Sequence, residues 1–190
     1  MPGRQVLLGI SALALALTIT PWLIVNARHS AAPAKLAPFV TTPQAVVERM
    51  LELAQVGPRD VVYDLGSGDG RLVITAAKKY GAHGVGVDFD PELVLESRAN
   101  AKRAGVEDLV EFRDQDARTV DVSPATVVTL YLLNQSNLEL RAMLTRQLKP
   151  GARIVSHKFG MGDWQPEKTE IVPNTDSTIY LWHADGRVRP

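Results

Sequence analysis

The chain of 190 residues contains 21 lysines and arginines and 21 aspartates and glutamates, so its formal net charge at neutral pH is zero. This balance argues against a broad nucleic-acid-binding surface, which needs an excess of basic residues. The absence of cysteine excludes disulfide bonds, thiolate metal sites and cysteine nucleophiles, and the length suits one domain with an appendage.

The first predicted element is an uncharged stretch, residues 6–25, that is long enough to cross the hydrocarbon layer of a membrane as a helix. Pro21 and Trp22 near its end are typical of a membrane interface. We predict that residues 1–27 form a membrane anchor, and a cleaved secretory signal is the alternative. Residues 28–37 are predicted to be a linker, and residues 38–190 a folded domain.

The folded domain is predicted to alternate helices and strands. Thr42 is expected to cap a helix that starts with Pro43 and stops at Gly57. Two strands at the end of the chain, residues 170–173 and 177–183, are predicted to form a closing hairpin. This alternation predicts an α/β fold with a parallel sheet and helices on both faces. Five earlier strands are predicted at residues 60–65, 84–88, 109–113, 126–133 and 152–159.

Local signals also predict the helix boundaries. A helix over residues 70–80 follows the first strand. Asp90 is expected to cap the next helix, which starts with a proline and ends at Gly105. Ser136 and Glu139 have the spacing of a capping box for a later helix.

A glycine-rich turn with Gly66, Gly68 and Gly70 follows the first strand. Glycine allows positive φ and close approach of the backbone to a ligand, as in the first βα turn of nucleotide-binding α/β folds. The spacing differs from the dinucleotide fingerprint, and Asp64 and Asp69 would repel a pyrophosphate. The same carboxylates favour a ligand with an ammonium and a sulfonium group, such as S-adenosylmethionine.

Further candidate cofactor residues lie where later strands end. Asp88 ends the second strand, about 20 residues after the turn, where a carboxylate can accept both ribose hydroxyls. Asp116 follows the third strand and is predicted to accept from the adenine amino group, with Asp114 as the rival position. The methionine end is assigned to the first turn. The predicted cofactor set is Asp64, Gly66, Ser67, Gly68, Gly70, Asp88 and Asp116.

The acceptor site is predicted at the end of the fourth strand, where Tyr131 and Asn134 lie. Asn134 could hydrogen-bond an amine, or simply begin a helix. Phe39 and Trp164 could wall a channel, although such rings more often pack in a core. His157 is a candidate base, with a structural role as the alternative. No metal site is predicted from four scattered histidines.

Five segments of the chain match the pattern of a known family: residues 38–43 (PFVTTP), 62–71 (VYDLGSGDGR), 129–133 (TLYLL), 149–156 (KPGARIVS) and 164–166 (WQP). Through these segments, residues 38–166 resemble a family of seven-stranded protein-lysine methyltransferases. It is related to the mitochondrial lysine methyltransferases of the ATP-synthase c-subunit and of the adenine-nucleotide translocase, and it has bacterial relatives. The resemblance implies a Rossmann-like seven-stranded sheet, methyl transfer from S-adenosylmethionine to a protein lysine, and a membrane-embedding N-terminal segment. Asn134 stands where the family usually has proline, which leaves the acceptor geometry open.

The function and location derived from the sequence retain alternatives. The protein could methylate a small molecule, or be a membrane-tethered module that binds S-adenosylmethionine without catalysis; the acidic turn disfavours a nicotinamide oxidoreductase. The expected partners are a protein substrate, which could be membrane-associated, and the membrane itself, but no nucleic acid. Because the methyl donor is made in the cytosol, we expect a single-pass membrane protein whose catalytic domain faces the cytoplasm. Export after signal cleavage is the alternative.

Overall fold

The computed structural model describes residues 36–190. The predicted membrane anchor, residues 1–27, and nearly all of the predicted linker lie outside the described residues. Within residues 36–190, none of the helices has the length and apolar character that a membrane span requires. The predicted anchor and the domain boundaries therefore stay predictions.

Strands and helices alternate along the described residues. The helices are α1 (Gln44–Leu53), α2 (Arg71–Tyr80), α3 (Pro91–Ala104) and α4 (Asn134–Gln147), with a 3₁₀ helix at Ala117–Thr119. The strands are β1 (Val61–Leu65), β2 (His83–Asp88), β3 (Val110–Asp114), β4 (Val127–Leu130), β5 (Arg153–His157), β6 (Lys168–Val172) and β7 (Ser177–His183).

The seven strands form one sheet in the order β3-β2-β1-β4-β5-β7-β6. Strands β1 to β5 are parallel, and β7 is antiparallel to both β5 and β6. The predicted parallel sheet with a closing hairpin is therefore confirmed, and the sheet is mixed because of β7. The strand order reverses between β1 and β4, which is where such sheets open a crevice for a ligand.

Helices cover both faces of the sheet, as predicted. On one face α1, α2 and α3 bury residues such as Leu51 and Val73 against the sheet. On the other face α4 and the 3₁₀ helix bury residues such as Leu140 and Leu144 against β1, β4 and β5. Each fully buried leucine or valine contributes about 1.5–3 kcal/mol relative to exposure. The two cores together stabilise the sheet, and the site lies at one edge of that sheet.

The region after β4 differs from the prediction. Strand β4 ends at Leu130, three residues before its predicted end, and α4 begins at Asn134. The capping box at Ser136 and Glu139 is wrong, because both residues lie inside the helix and no side chain caps it. The Ser136 hydroxyl instead donates to the backbone carbonyl of Leu36. The Ser136 side chain therefore binds the segment that begins at Leu36 and does not cap α4.

The predicted caps of α3 are confirmed, whereas both predicted ends of α1 are wrong, since α1 begins at Gln44 and ends at Leu53, four residues before Gly57. Asp90 caps α3 by accepting from the Glu92 backbone N–H at 3.1 Å, and Gly105 ends that helix. The predicted Thr42 cap is wrong, because Pro43 is the N-cap residue of α1 and no side chain caps this helix. The Thr42 hydroxyl lies 3.5 Å from the Nδ1 atom of His157 instead.

Candidate active site

A pocket lies at the carboxyl ends of β1, β2, β3 and β4. The first residues of the described chain, Leu36–Thr42, form one of its walls. Gly70 is the one predicted cofactor residue outside the lining, and it is the N-cap residue of α2. The predicted cofactor residues that line the pocket are Asp64, Gly66, Ser67, Gly68, Asp88 and Asp116.

The glycine turn needs glycine for two separate reasons. Gly66, Gly68 and Gly70 have φ values of 84°, 53° and 79°, which side chains disfavour. A Cβ atom at Gly68 would also collide with the Phe39 ring, and one at Gly70 would lie 2.6 Å from Cε1 of Phe112. Phe39 therefore packs directly over the turn and also lines the pocket, and its role as a channel wall stays a prediction.

Asp88 is held at the end of β2 by two backbone donors. Its Oδ2 atom accepts from the Gly68 N–H at 2.7 Å, and its Oδ1 atom accepts from the Asp90 N–H at 3.0 Å. A carboxylate has about four acceptor positions, so these two bonds orient the group without saturating it. The remaining acceptor positions suit the vicinal hydroxyls of a ribose.

Asp64 is buried beside the turn, with only 7% of its surface exposed. In the sheet it lies next to Thr129 of β4, whose hydroxyl donates to the Asp64 Oδ1 atom at 2.7 Å. Burial raises the pKa of Asp64 to about 7, and the charges of Asp88 and Asp69 act in the same direction, while the Thr129 hydrogen bond opposes the rise. Near neutral pH, a cation in the pocket would draw Asp64 into its ionised form.

Two of the carboxylates that line the pocket form ion pairs with arginines. The Nη2 atom of Arg71 lies 2.5 Å from Asp69, and that of Arg118 lies 2.7 Å from Asp116. Burial opposes the ionisation of Asp69, yet hydrogen bonds from Arg71 lower its pKa, and hydrogen bonds from Arg118 lower the pKa of Asp116. The pocket is therefore less negative than its aspartates alone suggest.

Asp116 also has a structural task. Its Oδ1 atom accepts from the backbone N–H of Arg118 at 2.9 Å and so caps the 3₁₀ helix. Its place in the lining is compatible with the predicted adenine contact, whereas the rival Asp114 lies outside the lining. The adenine contact of Asp116 stays a prediction.

The predicted acceptor residues are separated in the structure. Tyr131 is partly buried and lines the pocket just after β4. Asn134 is exposed at the first position of α4 and lies outside the lining. Trp164, the second candidate channel wall, lies outside the lining as well and packs on Trp182, with ring centroids 6.0 Å apart. The roles of Tyr131 and Asn134 stay predictions.

His157 lies behind the acceptor wall. Its ring centroid is 4.0 Å from that of Tyr131, and its Nε2 atom lies 2.8 Å from the Ser177 hydroxyl. Burial, assisted by the charge of Lys158, lowers the pKa of His157 to about 4. The ring is 1% exposed and does not line the pocket. This placement favours the structural alternative over a base in contact with a substrate.

Two arginines of the site were not predicted from the sequence. Arg71 and Arg118 line the pocket, and the Arg71 Nη1 atom donates to the Thr42 carbonyl oxygen at 2.8 Å. The repeated Asp-x-Arg spacing at residues 69–71 and 116–118 was the available signal. Among the described residues, no group of three or more histidine, cysteine, aspartate or glutamate side chains is arranged to hold a metal.

The strand order and the acid-lined glycine turn define the class of Rossmann-like methyltransferases. The family model described as the ANTKMT methyltransferase domain matches residues 64–168. The chain belongs to this family. It is an S-adenosylmethionine-dependent methyltransferase, which confirms the resemblance, the enzyme class and the cofactor inferred from the sequence.

Individual relatives agree with this assignment. A protein-lysine N-methyltransferase of Saccharolobus islandicus is 44% identical over 148 residues, which cover 76% of this chain and 92% of the relative. The human ATP-synthase c-subunit lysine N-methyltransferase is 33% identical over 77% of this chain, which spans only 61% of that relative's length. A crystal structure described as an RNA methyltransferase of Salinibacter ruber with S-adenosyl-L-homocysteine is 54% identical, with a TM-score of 0.76 over 79% of this chain and 97% of that one.

Proposed function

We propose that this methyltransferase acts on a lysine side chain of a protein. The observation that carries the proposal is the 44% identity to the S. islandicus protein-lysine N-methyltransferase, which extends over 92% of that relative. The human relative, named for a lysine of the ATP-synthase c-subunit, points to the same acceptor chemistry.

The proposed cofactor site uses the pocket described above, and the residues fit the cofactor. The ribose hydroxyls would bind the open acceptor positions of Asp88, and the adenine amino group would bind Asp116. The methionine end would lie beside Asp64 and over the glycine turn, where Gly66 and Gly68 line the pocket with positive φ values and present backbone without a side chain. Ser67, also in the lining, completes this end of the set.

The chain's task in the reaction is to align the acceptor and keep it unprotonated. S-Adenosylmethionine supplies a methyl group on a positively charged sulfur, which is a good leaving group. Three apolar residues of the pocket lining are exposed, Phe39 by 51%, Val40 by 56% and Phe89 by 37%, and so is Leu133, which follows the lining residue Leu132, by 45%. An apolar surrounding disfavours the ammonium form of lysine, and Tyr131 is proposed to position the neutral amine.

We also propose that the acceptor is a membrane-associated protein. The apolar stretch at residues 6–25 would anchor the chain in the membrane with the catalytic domain in the cytoplasm, where the methyl donor is made. Export after signal cleavage is the alternative. Protease protection on membrane vesicles separates them: an anchored cytoplasmic domain is cut from the cytoplasmic side only, whereas an exported one resists that protease.

The acceptor can be identified by methyl labelling. Purified full-length chain is incubated with tritiated S-adenosylmethionine and a membrane extract from cells that lack the gene. The proposal predicts label that survives RNase, disappears on protease digestion, and maps to lysine by mass spectrometry. RNase-sensitive label would instead support RNA as acceptor, as in the description of the S. ruber structure, and label in the small-molecule fraction would support a small acceptor.

The cofactor site has its own test. Asp88→Ala removes a charged acceptor, so we expect S-adenosylmethionine to bind about 10- to 150-fold more weakly, corresponding to about 1.5–3 kcal/mol. Isothermal titration calorimetry measures the affinity. The matched control is Asp108→Ala, at an exposed aspartate outside the pocket lining, which should leave the affinity within about twofold. Unchanged affinity in Asp88→Ala would remove Asp88 from the site.

A further inference from the structure

Arg71 is the cation nearest in sequence to the glycine turn. It is the first residue of α2, directly after Gly70, and 32% of its side chain is exposed. Among the described residues that line the pocket, Arg71 and Arg118 are the two with cationic side chains. All other charged lining residues are aspartates. An anionic group of a ligand therefore has two candidate partners in this pocket.

The position of the two arginines separates them. Arg118 follows β3, next to Asp116, whereas Arg71 follows the turn at the end of β1. Strands β3, β2 and β1 are neighbours in this order, so a ligand with adenine at Asp116 and ribose at Asp88 ends at the turn. Arg71 thus lies at the methionine end of the proposed ligand, and Arg118 at the adenine end.

The guanidinium of Arg71 is fixed before any ligand arrives. Its Nε atom donates to the Asp69 Oδ1 atom at 2.9 Å, its Nη2 atom to Oδ2 at 2.5 Å, and its Nη1 atom to the Thr42 carbonyl at 2.8 Å. These contacts use three of the five N–H donors of a guanidinium, and one remains on each terminal nitrogen. Such a held planar group with two spare donors suits a carboxylate.

S-Adenosylmethionine carries one anionic group, its α-carboxylate. In a pocket lined by aspartates that group would be repelled without a cation, since like charges destabilise each other at short range. We propose that Arg71, held by Asp69, binds the α-carboxylate of the cofactor and selects ligands with an intact amino-acid end. This inference rests on the proposed function of the pocket and adds to it a residue that determines ligand specificity.

Calorimetry with two defined ligands tests the proposal without any acceptor. S-Adenosylmethionine is compared with its decarboxylated analogue, which lacks the α-carboxylate and carries one more net positive charge. The full-length chain should bind S-adenosylmethionine at least about tenfold more tightly than the analogue. In Arg71→Met the affinity for S-adenosylmethionine should fall by about 10- to 100-fold. The remaining aspartates favour the more cationic analogue, so the preference should disappear or reverse.

Two further variants keep the test decisive. Arg71→Lys keeps a positive charge, but the lysine ammonium group is a point charge without the planar fork of a guanidinium. This variant should therefore retain only part of the preference for S-adenosylmethionine over the analogue, and it provides a test even if Arg71→Met does not fold. Arg103→Met, at an exposed arginine of α3, should keep the full preference. Thermal unfolding of each variant verifies that the titrated protein is folded.

The outcomes separate the inference from the proposed function. If the chain binds neither S-adenosylmethionine nor S-adenosylhomocysteine, the pocket assignment fails and the inference fails with it. If the chain binds S-adenosylmethionine and both Arg71 variants keep the wild-type preference, the pocket assignment stands and Arg71 is not the carboxylate partner. A preference that collapses in Arg71→Met and is partly kept in Arg71→Lys supports the inference.

Discussion

Asp64 and His157 occupy equivalent places in the fold and behave in opposite ways. Each lies at or near the carboxyl end of a central parallel strand, and each is almost completely buried. Burial raises the pKa of Asp64 to about 7 and lowers the pKa of His157 to about 4. One physical cause, the cost of burying charge, thus keeps both groups neutral around pH 5.

The difference between them is what each side chain faces. Asp64 lines the pocket, so a cationic ligand can compensate its charge and drive ionisation. His157 lies behind Tyr131 and contacts the hydroxyls of Ser177 and Thr42. Similar burial thus yields a group whose ionisation responds to a ligand when it lines the pocket, and a group whose ionisation does not respond when it lies behind the pocket wall.

The largest expected effect is on the pH dependence of stability. Between about pH 4 and 7, native Asp64 holds a proton that the unfolded chain releases, so stability falls as pH rises. Between about pH 6.5 and 4, native His157 stays neutral while the unfolded residue binds a proton, so stability falls as pH falls. Each slope reaches up to about 1.4 kcal/mol per pH unit, and in the shared window the two oppose each other.

Single substitutions should expose each slope in urea unfolding series from about pH 4.5 to 7.5. Asp64→Asn should gain stability relative to the wild type as pH rises through this range. His157→Phe should lose stability relative to the wild type as pH rises to about 6.5, in addition to a constant loss from its missing hydrogen bonds. Parallel curves for the wild type and either variant would show that the pKa of that residue is not shifted.

A smaller effect is expected at the hydrogen-bond partner of Asp64. Thr129→Val removes the hydroxyl that donates to Oδ1 at 2.7 Å and leaves a buried carboxyl without that donor. We expect a loss of about 2 kcal/mol at pH 8, where the bond is charge-assisted, and about 1 kcal/mol at pH 5. Urea midpoints measure both values. The control is Thr169→Val, at an exposed position of β6, which should stay within about 0.5 kcal/mol of the wild type.

The smallest effect is expected at the hydrogen-bond partner of His157. Ser177→Ala removes the hydroxyl 2.8 Å from Nε2, and both groups of this pair are neutral. We expect a loss of about 1 kcal/mol that is the same at pH 6 and pH 8. Gln135→Ala, at an exposed position of α4, serves as the control and should leave stability nearly unchanged. A loss in Ser177→Ala that is much larger at pH 6 than at pH 8 would show that His157 carries a charge at pH 6, and would contradict its assignment as a neutral group.

Sequence patterns predicted the elements that local rules control. The apolar run at Val61–Leu65 and the glycines after it predicted a strand and a turn because both depend on neighbouring residues. Asp90 was correctly predicted as a cap for the same reason. The Ser136 and Thr42 caps failed because each hydroxyl is bound by a residue far away in the chain, Leu36 and His157 respectively.

The sequence by itself determined the alternation of strands and helices, the acid-lined glycine turn and the class of cofactor, since each depends on residues that are close together in the chain. Only the tertiary structure decided that β7 lies between β5 and β6 and that Thr129 contacts Asp64. It also decided that Arg71 joins Asp69 to the segment before α1. These contacts depend on which strands become neighbours, and packing of the whole chain sets that order.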